Sequence, residues 1–160
     1  MEIIRKEYTV SSKCGVADIY ARCWMPVDGV NAIFQISHGM AEHGERYEDF
    51  ASYLCSKGFA VVVEDHMGHG KSINTDDDLG YFGENNGWDT LVEDERAVTE
   101  LIKADFPDVP VIFFGHSMGS FVARAYSAKY SDDIVGAVYC GTAGPNPAAG
   151  AGIMLTKIIA

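Results

Sequence analysis

The sequence predicts an α/β protein: an N-terminal antiparallel hairpin, then a mostly parallel sheet with helices on both faces. Three observations carry this. Short apolar runs rich in β-branched and aromatic residues recur at 32–36, 59–63, 109–114 and 134–140. They are continuously apolar rather than alternating, as strands buried on both faces require. Between them lie segments with apolar residues at helical spacing, and that alternation implies parallel strands joined by crossover helices.

Taken in order, residues 3–11 and 17–25 are expected strands. Cys14-Gly15 makes the turn between them, so they form a hairpin. Val27-Asp28-Gly29 is a second turn. The strand at 32–36 runs into His38-Gly39-Met40. Tyr47, Phe50, Ala51 and Leu54 mark one helix face, which Gly58 closes. Residues 59–63 form the next strand. The Gly- and Asp-rich segment 65–86 is a long loop, of a length that in compact domains is functional or mobile. Trp88, Leu91, Val92, Val98, Leu101 and Ile102 mark a second helix. Glu93, Asp94, Arg96, Glu100 and Lys103 are assigned to its solvent side. Met118, Phe121, Val122 and Ala125 fall at i, i+3, i+4 and i+7 of a third helix, and 134–140 is a last strand. Residues 141–147 form a loop. The small, apolar segment 148–160 reads as the start of a helix without its packing partner.

At 160 residues the chain can build one domain with its own core. Its net charge of −11 makes it a poor partner for nucleic acid or anionic membrane surfaces. Asp76-Asp77-Asp78 is expected as a solvated loop, since it lacks the glycine and distal glutamate of a calcium loop. Four cysteines, Cys14, Cys23, Cys55 and Cys140, form no C-x-x-C pair. Cys55 and Cys140 lie in apolar contexts where a thiol acts as a small hydrophobe. The N-terminus has no apolar signal region, and no run is long enough to span a membrane. A reducing cytoplasm is the expected location.

Gly115-His116-Ser117-Met118-Gly119 reads G-x-S-x-G, and it lies between a buried strand and a helix. That is the context of a nucleophile elbow, a strained turn that exposes a serine. The rival reading is a Gly-rich βα loop with an ordinary serine, and the strand–turn–helix order argues against it. Acyl transfer by serine needs a nucleophile, a base, an orienting carboxylate and an oxyanion hole. Ser117 is the expected nucleophile. The N–H after it, that of Met118, is one oxyanion donor, and the N–H of Met40 in the His38-Gly39-Met40 turn is the second. No histidine follows Ser117. His116 cannot swing round to serve its neighbour, and His38 is expected to be structural. His43, His66 and His69 lie on loops that border the cleft, none of them placed as general base. His66-x-x-His69 has a metal-binding spacing but no further clustered ligand, so no metal is expected there. Asp132 and Asp133 are expected as solvated turn residues.

Three blocks, His38-Gly39-Met40-Ala41-Glu42-His43-Gly44-Glu45-Arg46-Tyr47, Asp65-His66-Met67-Gly68-His69-Gly70-Lys71-Ser72 and Gly115-His116-Ser117-Met118-Gly119-Ser120, resemble the α/β-hydrolases of the monoglyceride lipase and lysophospholipase-like branch. The resemblance covers essentially the whole chain but only about the first half of a family member. It implies an α/β-hydrolase fold incomplete at its C-terminal end, with 1–142 the N-terminal part of the core and 143–160 the start of a cap. It implies hydrolysis of monoacylglycerols, lysophospholipids or related carboxylic esters, without cofactor or metal. Arg46 matches a position that contacts the polar head of the substrate, with Glu42 and His43 beside it. The family places its catalytic aspartate and histidine after later strands. The 160-residue chain alone is therefore expected to be inactive, a truncated or fragmentary enzyme. The expected partner is a small ester or lipid, with no nucleic acid and no integral membrane association. Self-association through an exposed strand edge and the cap helix is also expected. A catalytically dead binding module, a fragment completed by a second polypeptide and a serine peptidase of the same fold are the other readings.

Overall fold

A computed structural model describes residues 2–147 of the chain. Strands β1 (Ile3–Ser11) and β2 (Asp18–Pro26) form the hairpin, paired from Ile3 opposite Pro26 to Ser11 opposite Asp18. Strands β3 (Ala32–Ser37), β4 (Phe59–Glu64), β5 (Val111–His116) and β6 (Gly136–Cys140) follow. Helices α1 (Glu48–Cys55), α2 (Gly87–Asp105) and α3 (Met118–Lys129) alternate with them. Among the described residues the expected strands and helices are present, with ends shifted by a residue or two.

The sheet order is β1-β2-β4-β3-β5-β6. β2 joins β4 antiparallel, and β4, β3, β5 and β6 run parallel. The continuous apolar runs are explained by this placement. Every residue of β3 is buried, because successive side chains enter different cores. Ile33 joins Ala60, Val62, Val98 and Ile102 beneath α2. Phe34 and Ile36 join Val61, Val63, Ala51 and Leu54 beneath α1. A third cluster places Phe113 against Val122, Ala123 and Tyr126, with its ring stacked on Tyr126 at 4.5 Å. So α1 covers one face, and α2 with α3 covers the other.

One helix face departs from expectation. Helical spacing puts Asp94 on the solvent side, but it is 1% exposed. It accepts from Ser12 Oγ at 2.7 Å and from the Lys13 N–H at 3.1 Å, so it ties the hairpin turn to α2. The buried acid is tolerated because its oxygens are hydrogen-bonded. Trp88, by contrast, is 46% exposed. Cys140 is exposed and Cys55 buried. The loop after β4 is fastened rather than loose. Asp65 accepts from the Gly44 and Lys71 N–H groups, and Ser72 Oγ donates to the Asp65 carbonyl. Asp76–Asp78 is a 3-10 turn with a capping box from Thr75 and Asp78. Asp133 is more than a solvated turn residue, since Arg96 and Lys103 both pair with it.

The two sheet edges differ. β1 carries Arg5, Lys6 and Glu7, and Arg5 and Lys6 pair with Glu48 and Asp105. Charges of this kind blunt an edge. β6 carries none, and beside it Val135 is 71% exposed, with Val138 at 45% and Tyr139 at 40%. The chain is expected to associate with itself through β6. Light scattering should give a mass that grows with concentration, and Val138→Lys should reduce it. A monomer at all concentrations that binds no ANS would contradict this. The expected cap helix lies, from residue 148 on, outside the described residues.

Candidate active site

The site begins where the sheet changes direction of growth. β3 has β4 on one side and β5 on the other. Chains leaving the carboxyl ends of two such strands diverge, and the crevice between them is where open α/β sheets bind ligands. Here β3 leads into His38-Gly39-Met40 and β5 leads into Ser117.

Ser117 has φ 51° and ψ −116°, in a region that L-residues rarely occupy. Its neighbours hold it there. The Ser117 N–H donates to the Cys140 carbonyl at 2.9 Å, and the Ser117 carbonyl accepts from both Ser120 N–H and Ser120 Oγ. The side chain is left exposed at the mouth of the turn. The two flanking glycines are a steric necessity. A Cβ on Gly115 would lie 2.2 Å from the Gly119 carbonyl oxygen, and one on Gly119 would lie 2.1 Å from that of Ser37. The elbow therefore packs backbone to backbone against the exit of β3. Gly39 faces it from the other side, where a Cβ would come within 3.2 Å of Ser117 Cβ. Met118 is the first residue of α3, so its N–H is one of the donors that a helix start leaves without an internal partner. The neighbouring Ala41 N–H is directed to His69 Nε2.

Glu42 binds the two turns together. Its Oε1 accepts from the Gly39 N–H at 2.5 Å, His116 Nδ1 at 2.8 Å and Tyr47 Oη at 3.0 Å. Its other oxygen lies 3.6 Å from Arg46. Burial pushes the carboxyl up, but the bonds from His116, Gly39 and Tyr47 outweigh it and hold it below the usual glutamate value. This hub joins residues 74 positions apart. Motif reading picks out Glu42 and the residues around it but not the bonds that join them.

The histidines divide. His38 and His66 are fully buried. The His66 N–H donates to His38 Nε2 at 2.9 Å, so the His38 proton sits on Nδ1 and is given to the Gly39 carbonyl at 2.7 Å. Burial, aided by His66, pushes His38 down to about 2, and burial pushes His66 down to about 4. The sequence places His66 on a loop at the cleft border. It lies in the core instead, with Nδ1 2.8 Å from Glu64 Oε1 and Nε2 3.0 Å from the His38 carbonyl. His43 and His69 do line the cleft. Among the described residues no histidine nitrogen is hydrogen-bonded to Ser117 Oγ.

Adjoining depressions surround the turn. One of about 390 Å³ is lined by Met40, Phe82, Trp88, Leu91 and Met118, and is almost wholly apolar. A second, of about 250 Å³, is lined by Glu42, Arg46, Tyr47, Phe114 and His116. His116 and Met118, on either side of Ser117, thus belong to a polar and an apolar recess respectively. A larger cleft of about 450 Å³ runs from Met40 and His43 to His69 and Leu79.

A hairpin leading into a parallel sheet of order β4-β3-β5-β6, with this turn after β5, is the fold of an α/β-hydrolase. The family described as Serine aminopeptidase, S33 (Hydrolase_4) matches over residues 28–158, and the chain belongs to it, in its monoglyceride lipase branch. It is 32% identical over 139 residues to a monoacylglycerol lipase of Mycolicibacterium smegmatis, covering 87% of this chain and 47% of that one. It is 31% identical over 120 residues to a monoglyceride lipase of Homo sapiens, covering 75% and 38%. A thermostable carboxyl esterase from Bacillus coagulans, solved in complex with glycerol, superposes with a TM-score of 0.88 at 32% identity, over 97% of this chain and 50% of that one. The chain thus spans at most about half the length of these relatives. No helix among the described residues is long and apolar enough to cross a membrane.

Proposed function

We propose that this chain carries the nucleophile and oxyanion hole of a serine hydrolase that acts on monoacylglycerol-like carboxylic esters. The observation that carries the reading is Ser117 itself. It is exposed, held at φ 51°, and set between two turns that meet backbone to backbone at the sheet's switch point. Strain stored at one exposed polar residue is a mark of function rather than of packing. Ser117 Oγ attacks the ester carbonyl. Its proton passes to a histidine supplied from outside these 160 residues, and the alcohol leaves from the tetrahedral intermediate. The N–H groups of Met40 and Met118 receive the oxyanion, a role in which one donor is worth on the order of 10²–10³-fold in kcat. Water then releases the acid. The apolar recess by Met118 takes the acyl chain. Arg46, with His43 at the cleft, meets the glycerol head, and Glu42 fixes Arg46 and His116 in place. A lysophospholipid would use the same recesses. The reaction needs no cofactor. Four free cysteines fit a reducing cytoplasm.

The test joins this chain to the remaining half of the Mycolicibacterium relative and measures glycerol release from a monoacylglycerol. Arg46→Ala should raise KM for the monoacylglycerol and leave KM for p-nitrophenyl acetate, which has no glycerol head, unchanged. Equal effects on both substrates would remove Arg46 from head recognition.

Glu42 gives a stability test in the 160-residue chain. Glu42→Ala strands three donors and should cost about 2 kcal/mol or more in denaturant unfolding. The sign with pH follows from its lowered value. Its contribution is complete above the ordinary glutamate range and is lost as pH falls through the folded-state value, so the substitution should flatten the acid limb of the stability curve. An unchanged midpoint and acid limb would show that the hub is dispensable.

A further inference from the structure

Three side chains that the proposed reaction does not use meet in the core. Glu64 ends β4, His66 follows two residues on, and Glu95 faces them from α2. All three are fully buried. Each offers one ligand atom, and the three atoms lie within 4.8 Å of one another. We propose that Glu64, His66 and Glu95 form a binding site for a divalent cation of the zinc class.

The hydrogen bonds around the cluster support a ligand. His66 Nε2 lies 3.0 Å from the His38 carbonyl and donates to it. That fixes the tautomer and leaves the Nδ1 lone pair directed at Glu64, 2.8 Å from Oε1. A ring whose outer N–H is given to a backbone carbonyl is the usual posture of a metal-bound histidine. Glu64 Oε2 and Glu95 Oε1 are buried without a hydrogen-bond partner. Buried polar atoms seldom remain so, and an ion is one of the groups that satisfies them. Among the described residues no Lys or Arg is paired with either acid: the like charges acting on Glu64 are those of Asp94 and Asp65, and Glu95, whose Oε2 accepts from Gln35, meets those of Glu64 and Asp94. A doubly charged ion would neutralise the pair. One nitrogen and two carboxylates form a donor set that zinc accepts, with water in the fourth position. Calcium and magnesium require about six or more oxygens, which three donors in a closed core do not provide. The tempting His66–His69 spacing plays no part, since His69 is engaged by Met67 and Ala41.

The test uses the 160-residue chain, stripped with chelator and titrated with Zn²⁺ by calorimetry, with Co²⁺ as a spectroscopic probe. One equivalent of Zn²⁺ should bind and raise the unfolding midpoint. Co²⁺ should give visible bands of a four-coordinate nitrogen–oxygen site without thiolate charge transfer. Glu95→Gln and Glu64→Gln should each weaken binding on the order of 10²-fold or more, since losing even an outer-shell partner costs 10–100-fold. A Cys14→Ser/Cys140→Ser double variant should keep it. Absence of stoichiometric binding, binding that survives Glu95→Gln, or thiolate bands with Co²⁺ would overturn the proposal, the first meaning that the carboxyls hold a proton instead. If a glutamine variant fails to fold, the Co²⁺ spectrum of the unmodified chain decides by the same criteria.

Discussion

Ser117→Ala is expected to lower kcat for ester hydrolysis on the order of 10⁶-fold in a protein that supplies the base, the loss that follows removal of a triad serine. The 160-residue chain alone should already be slow, because no histidine follows Ser117 and, of those before it, all but His43 are engaged by other groups. His38 and His66 are buried, His69 has both nitrogens engaged, and His116 gives Nδ1 to Glu42. Oxyanion hole and binding together leave a residual of roughly 10³–10⁴-fold over water. Hydrolysis of p-nitrophenyl acetate by the chain, with and without Ser117→Ala, measures both points. Fast turnover that Ser117→Ala abolishes would mean that His43 or His69 acts as base, or that a second polypeptide supplies one. Turnover that survives the substitution would take the nucleophile away from Ser117.

Gly119→Ala should be the most damaging single-methyl change to stability. The new Cβ would lie 2.1 Å from the Ser37 carbonyl oxygen and 2.5 Å from that of His38, both of them backbone. No flexible side chain can yield, so the end of β3 must move and carry Gly39 and Met40 with it. Overpacking costs typically 1–3 kcal/mol and occasionally more, and a backbone clash belongs at about 3 kcal/mol or above. Chemical denaturation should show that loss. Gly144→Ala, where an added Cβ meets nothing within 4 Å, should show none. A Gly119→Ala chain as stable as the parent would mean that the two turns are not in contact as described.

Much of this architecture is written in local pattern. Continuous apolar runs at β3, β4 and β5 announce strands buried on both faces; the structure buries β3 throughout and β4 after its first residue, while β5 alternates buried and half-buried residues. The elbow is legible because two close backbone approaches demand glycines at fixed distances from one serine. Strand order is not legible, since a buried run does not name its neighbours. Nor were the buried polar contacts. Helical periodicity sends Asp94 to solvent, yet Ser12 and Lys13 satisfy it in the core. Gln35, inside an otherwise apolar strand, is the one local sign of the polar layer beneath the sheet. It donates to the Glu95 carboxylate and accepts from Thr99. The link from Glu42 to His116 depends on two loops meeting, which no local spacing encodes.

The central claim, that Ser117 is an activated nucleophile for ester substrates, meets its most direct test in covalent labelling. The chain joined to the remaining half of its Mycolicibacterium relative would be treated with a fluorophosphonate and mapped by peptide mass spectrometry. The adduct should fall on the peptide containing Ser117 and vanish in Ser117→Ala. An adduct on another serine, or full labelling of the Ser117→Ala protein, would contradict the account.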